Sequence, residues 1–305
     1  MPPVSPADTA DKQLDLPFRK AARHRGQLAV FREDLPLIYV IGDSHVSVFS
    51  GIDKIDPGFP AISDSLYPNV RLCRLGAPLA ATMTKPNSTE GGRRKAFALL
   101  SAMEPGSKVF LSFGEIDCRV HVPRIAGFEA SGIPDAVQSA MANYLHFVDE
   151  YRSQAEARNI VVGLLSPPPT ATFDGAGDPG FLFRILRNSK DSRVARAIYR
   201  ILKNLIPRSS RMRLNNAHNP AYADDWALRN QALGCMRDRM RAYCQQHELP
   251  FIDMFEPFLE PDGRSARRWF MDEIHLGAIA VPELAASFAA CGVPNFISDP
   301  GKTSS

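Results

Sequence analysis

Two short motifs at opposite ends of the chain carry the residue types of a catalytic triad. Gly42-Asp43-Ser44-His45 follows an apolar run, and Asp272-Glu273-Ile274-His275 lies far downstream. A serine hydroxyl is a weak nucleophile until an imidazole accepts its proton, and a carboxylate orients that imidazole. The two motifs therefore predict Ser44 as the nucleophile, His275 as the general base and Asp272 as the orienting carboxylate.

Each motif also has a purely structural interpretation. A Gly-Asp-Ser sequence at the end of a strand is common in turns, and Asp-Ser often only caps a helix. His275 could simply begin the last helix. Its apolar neighbours Ile274 and Leu276 predict a partly buried pocket, which favours a neutral base. The presence of all three residue types favours the triad over these alternatives.

Apolar runs predict the strands that position the two motifs. Four are clear and a fifth is short: 37–41, 70–75, 109–113, 160–165 and 251–254. Helical patterns lie between or after them, at 95–103, 136–158, 224–247 and 278–290. Continuous apolar strands that alternate with helices are typical of a parallel sheet covered on both faces, so the fold class is predicted to be α/β.

The order of these elements predicts one common site. In an open α/β sheet, ligands bind beyond the carboxyl ends of the strands. Ser44 follows the first strand, Gly76 the second and Gly114 to Asp117 the third, while His275 comes after the fifth strand. We expect these residues to meet at one edge of the sheet.

The motifs and their order resemble the SGNH hydrolase superfamily of GDSL-like esterases, over about residues 37–290. Gly42-Asp43-Ser44 resembles the first conserved block, Leu75-Gly76 the second, and the segment Asp272 to Leu276 the last. The resemblance implies a three-layer αβα sandwich with a parallel, flavodoxin-like sheet. It also implies an acyl-enzyme on Ser44 and an oxyanion hole formed by the backbone N–H groups of Ser44 and Gly76.

The third block departs from the family pattern. Gly114-Glu115-Ile116-Asp117 resembles the family's G-x-N-D, but Ile116 stands where an asparagine donates to the oxyanion. The loss of one such donor typically costs about 100- to 1000-fold in rate. His45 also stands where the family often has leucine. These changes resemble SGNH-like proteins of bacterial surface-polysaccharide pathways, which implies an O-acetylated carbohydrate as substrate.

A polar set near the predicted edge is expected to bind substrate: Asp43, His45, Glu115, Asp117, Arg119 and His121. Arg119 or His121 could replace the missing donor. The alternative for the third-block residues is a solvated loop with an internal salt bridge, and the sequence leaves both interpretations open. Cys118 and His121 have the spacing of metal ligands, but no second pair accompanies them, so no metal is expected.

The segment 181–213 contains ten Lys or Arg residues and one acidic residue. Apolar residues at helical spacing predict a basic helical insertion at about 178–215, and a solvated helix is the favoured interpretation. The alternative is a surface for an anionic partner: a membrane, a nucleotide-sugar or coenzyme A. No glycine-rich phosphate loop follows the first strand, so no dinucleotide or other cofactor is expected.

Composition limits the class of protein. The chain has 305 residues, of which 45% are hydrophobic, and can form one sizeable domain. We predict a flexible arm at 1–34, the catalytic domain at 35–293 and a tail at 294–305. A net charge of +3 does not indicate nucleic acid. An odd number of cysteines without C-x-x-C, and an N-terminal stretch without a signal-like apolar region, favour the cytoplasm.

The predicted function is a serine esterase that acts on a small-molecule or carbohydrate ester. An O-acyltransferase that uses the same triad is one alternative. A non-catalytic carbohydrate-binding protein that kept the fold is another, and the substitution at Ile116 is the feature that supports it.

Overall fold

The computed structural model describes residues 18–19, 36–51, 53, 55, 58–60, 62–64, 69–170, 226–271 and 274–290. The predicted basic insertion, the C-terminal tail, Asp272 and most of the predicted N-terminal arm lie outside these ranges.

The described strands form one seven-stranded sheet. They are β1 (Phe18–Arg19), β2 (Ile38–Gly42), β3 (Ile62–Asp64), β4 (Val70–Arg74), β5 (Lys108–Ser112), β6 (Val161–Leu165) and β7 (Phe251–Ile252). Their order is β1-β3-β4-β2-β5-β6-β7. The five neighbouring strands β4-β2-β5-β6-β7 are mutually parallel and have the flavodoxin-like order. The predicted α/β fold is therefore confirmed.

Two strands at one edge of the sheet were not predicted from the sequence. β3 pairs antiparallel with β4, and β1 pairs parallel with β3. β1 lies within the segment predicted as a flexible arm. Both strands are only two or three residues long, so their sequences carry no alternation that could have identified them.

Helices cover both faces of the sheet. They are α1 (Gly92–Ala102), α2 (Val122–Ile125), α3 (Ile133–Glu156), α4 (Trp226–Gln246) and α5 (Val281–Ala290). Tyr39 and Ile41 of β2 enter the core shared with α1, α3 and α4, whereas Ile38 and Val40 enter the core shared with α5. Alternate side chains of a strand point to opposite faces, which explains why β2 is apolar at every one of these positions.

Within the part of the chain that the structure describes, no helix combines the length and apolarity needed to cross a bilayer.

Candidate active site

The end of β2 places Ser44 at the carboxyl edge of the sheet. β2 ends at Gly42, and a 3₁₀ helix begins at Ser44. Asp43 caps this helix, because its Oδ1 accepts a hydrogen bond of 2.9 Å from the N–H of His45. Every residue from 37 to 51 is buried except Ser44, which is partly exposed. The turn therefore presents a single partly exposed side chain, the Ser44 hydroxyl.

The neighbouring strand explains why this motif begins with glycine. A Cβ atom at Gly42 would lie 2.2 Å from the carbonyl oxygen of Ser112 in β5 and 2.7 Å from Cγ1 of Val46. Both distances are far shorter than a van der Waals contact. Only glycine allows β2 to run this close to β5 and still turn directly into the helix that begins at Ser44.

His275 reaches Ser44 from the segment that follows β7. Phe270 and Leu276 form an isolated antiparallel bridge, and the Met271 N–H donates to the His275 carbonyl at 3.0 Å. This local pairing fixes the backbone of His275 shortly before α5 begins. His275 Nε2 lies 2.7 Å from Ser44 Oγ, and His275 is 4% exposed. The structure thus brings together the predicted nucleophile and base, while the predicted orienting residue Asp272 lies outside the described residues.

Five of the six residues predicted to bind substrate are buried. Each is 8% exposed or less: Asp43, His45, Glu115, Asp117 and Arg119. His121, at the end of a π-helix spanning Asp117–His121, is partly exposed. Asp117 and Arg119 of the π-helix, and Glu115 just before it, are therefore inside the protein and not in a solvated loop. That these residues bind substrate stays a prediction.

A buried charge cluster lies next to the Ser44–His275 pair. Oε1 of Glu115 accepts a hydrogen bond of 2.5 Å from Nε of Arg119. Oε2 of the same carboxylate lies 3.2 Å from Nε2 of His45, without the alignment of a good hydrogen bond. The internal salt bridge that the sequence suggested is therefore present, but it is inside the protein.

Charge compensation sets the protonation of this cluster. Burial alone would raise the pKa of Glu115, but Arg119 and His45 hold that pKa well below its ordinary range. Burial lowers the pKa of His45, but Asp43 and Glu115 outweigh this effect and leave it above its usual value. Burial raises the pKa of Asp43. The cluster thus favours an ionised Glu115 facing a protonated His45.

Asp117 connects the third block to the loop after β4. Its Oδ2 accepts the N–H of Ala80 at 2.8 Å, and its Oδ1 accepts the N–H of Ala81 at 3.2 Å. Burial raises the pKa of Asp117 to about 6 despite these hydrogen bonds. Asp117 therefore holds together two loops at the edge of the sheet.

Gly76, the predicted second oxyanion donor, lies next to the end of β2. The N–H of Leu75 donates to the Gly42 carbonyl at 2.8 Å, which makes the two strand ends neighbours. Gly76 has a φ of 114°, a conformation that favours glycine. Lys95 Nζ donates to the Leu75 carbonyl at 2.7 Å, and the Ala77 N–H donates to Glu90 Oε2 at 2.7 Å. Two charged side chains thus fix the peptide groups on both sides of Gly76, and neither was predicted from the sequence.

Ile116 stands where the resemblance led us to expect an asparagine that donates to the oxyanion. It is partly exposed and belongs to neither apolar core. Its side chain has no hydrogen-bond donor. Of the two residues considered as replacements, Arg119 directs its Nε to Glu115, and His121 has a pKa lowered by partial burial and by Arg124.

Comparison with known proteins yields structural similarity alone. No family model matches the chain, and no curated protein matches it. An aryl esterase from M. smegmatis is 14% identical, covering 85% of this chain and 99% of that one, with a TM-score of 0.42. A carbohydrate acetylesterase from Sinorhizobium meliloti is 15% identical, covering 84% and 97%, with a TM-score of 0.40. A GDSL-like lipase from Bacteroides thetaiotaomicron is 13% identical, covering 84% and 87%, with a TM-score of 0.39. A fold hosts many functions, so the activity must be argued from the site itself.

Proposed function

We propose that this protein is a serine esterase that hydrolyses the acetyl ester of a carbohydrate. One observation carries the esterase assignment. The Ser44 hydroxyl, the one partly exposed side chain between residues 37 and 51, lies 2.7 Å from Nε2 of His275. This is the distance at which a base accepts a proton from a nucleophile. The acetyl group and the carbohydrate rest on the family resemblance.

The proposed reaction begins with proton transfer from Ser44 to His275. In the tautomer that this step needs, Nδ1 of His275 carries a hydrogen and Nε2 is the acceptor. As Oγ of Ser44 bonds to the ester carbonyl carbon, its proton passes to Nε2. The carbon–oxygen bond to the alcohol then breaks, and His275 returns the proton to the leaving oxygen. Water resolves the acyl-enzyme by the same route, and Asp272 is proposed to orient the Nδ1 hydrogen.

The oxyanion is proposed to bind the backbone N–H groups of Ser44 and Gly76. Two features support this assignment: the strand ends that carry the two residues are hydrogen-bonded neighbours, and the peptide groups around Gly76 are held by Lys95 and Glu90. Donors fixed before the reaction need no reorganisation when charge develops on the carbonyl oxygen.

Covalent labelling tests the nucleophile without knowledge of the substrate. A fluorophosphonate probe bonds to an activated serine and releases fluoride. We expect peptide mass spectrometry to find the probe on Ser44 of the native protein and not after heat denaturation. Ser166 is the internal control, because it also follows a strand of the sheet but is completely buried and bonded to Asp253. Labelling of Ser166, or none at Ser44, would contradict the proposal.

Ile116→Asn tests whether a missing donor limits the rate. We expect hydrolysis of p-nitrophenyl acetate to become about tenfold faster, because the amide can donate to the oxyanion. This gain is smaller than the roughly 100- to 1000-fold effect of a preorganised donor. The reason is that the loop formed around an apolar side chain, so it is not built to hold the new amide in the orientation that the oxyanion needs. Ile125→Asn is the matched control, since Ile125 is 68% exposed in α2 and should leave the rate unchanged.

Ile116→Asn also bears on the non-catalytic alternative, because the isoleucine at this position is the feature that supports that alternative. A folded Ile116→Asn protein that hydrolyses the ester no faster than the wild type would contradict the explanation that a missing oxyanion donor limits the rate. The O-acyltransferase alternative predicts acetyl transfer from acetyl-CoA to a sugar with little hydrolysis. The acyltransferase alternative is supported by the basic segment, which lies outside the described residues. An anionic partner or a membrane surface at that segment stays a prediction.

A further inference from the structure

A second histidine lies against the proposed catalytic base. The ring centroids of His45 and His275 are 4.8 Å apart, and the ring planes are inclined by 35°. His45 is 3% exposed and His275 is 4% exposed, so both side chains are shielded from solvent. His275 therefore contacts two consecutive residues: the hydroxyl of Ser44 through Nε2, and the imidazole of His45 through its ring.

Contacts from three elements hold His45 in this position. Its backbone N–H is bonded to Asp43 at the exit from β2. Its Nε2 lies 3.2 Å from Glu115, which follows β5, and Glu115 is bonded in turn to Arg119 of the π-helix. A serine–histidine pair alone requires none of these residues.

We propose that His45 is a positioning residue for His275, and that Glu115 and Arg119 hold it in place. The inference rests on the proposed esterase function. The His45 ring limits the orientations open to the His275 ring and keeps Nε2 directed at Ser44. A displacement of about 1 Å in reacting groups can cost about 100-fold in rate, so the alignment of the base has a measurable consequence.

The charges around His45 support this role. The groups that face it among the described residues are Asp43, Glu115, Arg119 and His275. A protonated His45 places a cation 3.2 Å from the buried Glu115 carboxylate, and a buried charge needs such compensation away from water.

Two substitutions at His45 separate shape from charge. His45→Leu introduces the residue common in the family and removes the ring, and we expect kcat for p-nitrophenyl acetate to fall about 10- to 100-fold with KM within about twofold. His45→Phe keeps a ring against His275 and removes the charge. It should retain more of kcat than His45→Leu does, because a ring still limits the orientations open to His275. His146→Phe is the control, since His146 is exposed on α3 and also lies near a glutamate, Glu150.

A further measurement does not depend on turnover. Histidine ¹⁵N NMR of the wild type over a series of pH values, with the His45 signals assigned from their loss in His45→Phe, should show a His45 pKa above that of a free imidazole. If the His45 variants do not fold, Glu115→Gln, which preserves side-chain size, should lower kcat about threefold to tenfold, because it weakens the contact that orients His45.

The outcomes distinguish this inference from the proposed function. If Ser44→Ala abolishes turnover while both His45 variants keep the wild-type kcat, the esterase stands and the positioning role is wrong. A lower Tm with wild-type kcat and KM would assign His45 to folding alone and would also overturn the role. If Ser44→Ala retains full activity, both the proposed function and this inference fail.

Discussion

Ser44→Ala should reduce turnover of p-nitrophenyl acetate by about 10⁴- to 10⁶-fold, because the reaction then has no group to carry the acyl chain. His275→Ala should cost a similar factor, since Nε2 is the acceptor 2.7 Å from the serine hydroxyl. When two residues act as one catalytic unit, removing either of them removes the rate enhancement of both. The double variant should therefore be about as slow as either single variant, whereas independent roles would multiply the two losses.

The stability of these variants should separate chemistry from folding. Ser44 is partly exposed and lies outside both cores, so Ser44→Ala should leave the Tm nearly unchanged. Ser166→Ala should show the reverse pattern. The buried Ser166 hydroxyl accepts the Met254 N–H at 2.7 Å, and its removal should lower the free energy of unfolding by about 1–3 kcal/mol while turnover persists. Full turnover in purified Ser44→Ala would place the nucleophile elsewhere.

Gly42→Ala should destabilise the fold severely, by about 4 kcal/mol or more, which is exceptional for one methyl group. The added Cβ would lie 2.2 Å from a backbone oxygen of β5, and a backbone atom cannot move aside as a flexible side chain can. The β2–β5 pair would have to separate, and these strands lie in the middle of the sheet. Urea unfolding followed by circular dichroism measures the loss, with insoluble expression as its extreme form.

Gly234→Ala is the matched control for this prediction. Gly234 lies inside α4, and a Cβ there would meet Phe255 at 3.7 Å, an ordinary contact. Alanine at this position should stabilise the protein by about 0.5–1 kcal/mol, because glycine in a helix loses more conformational freedom on folding. A Gly42→Ala protein as stable as the wild type would show that β2 and β5 can separate at little cost.

The sequence alone determined the parallel sheet and the location of the site. The run 37–41 is apolar at every position, as expected of a strand buried on both faces. Because parallel strands end at the same edge, their order along the chain was sufficient to predict that Ser44 and His275 meet, although 231 residues separate them. The edge strands β1 and β3 escaped prediction because a two- or three-residue strand has no pattern to recognise.

Only the tertiary structure decided what the third-block residues do. Their types predicted a polar cluster and a salt bridge, but whether Glu115 and Arg119 face solvent depends on how the π-helix packs, and this is not a periodic property of the chain. The contact of His45 with His275, and those of Lys95 and Glu90 around Gly76, likewise join segments distant in sequence. Hydrophobic periodicity reports which side of an element is buried. It carries no information on which charged groups meet at an edge, because that follows from loop conformation and from charge compensation between elements.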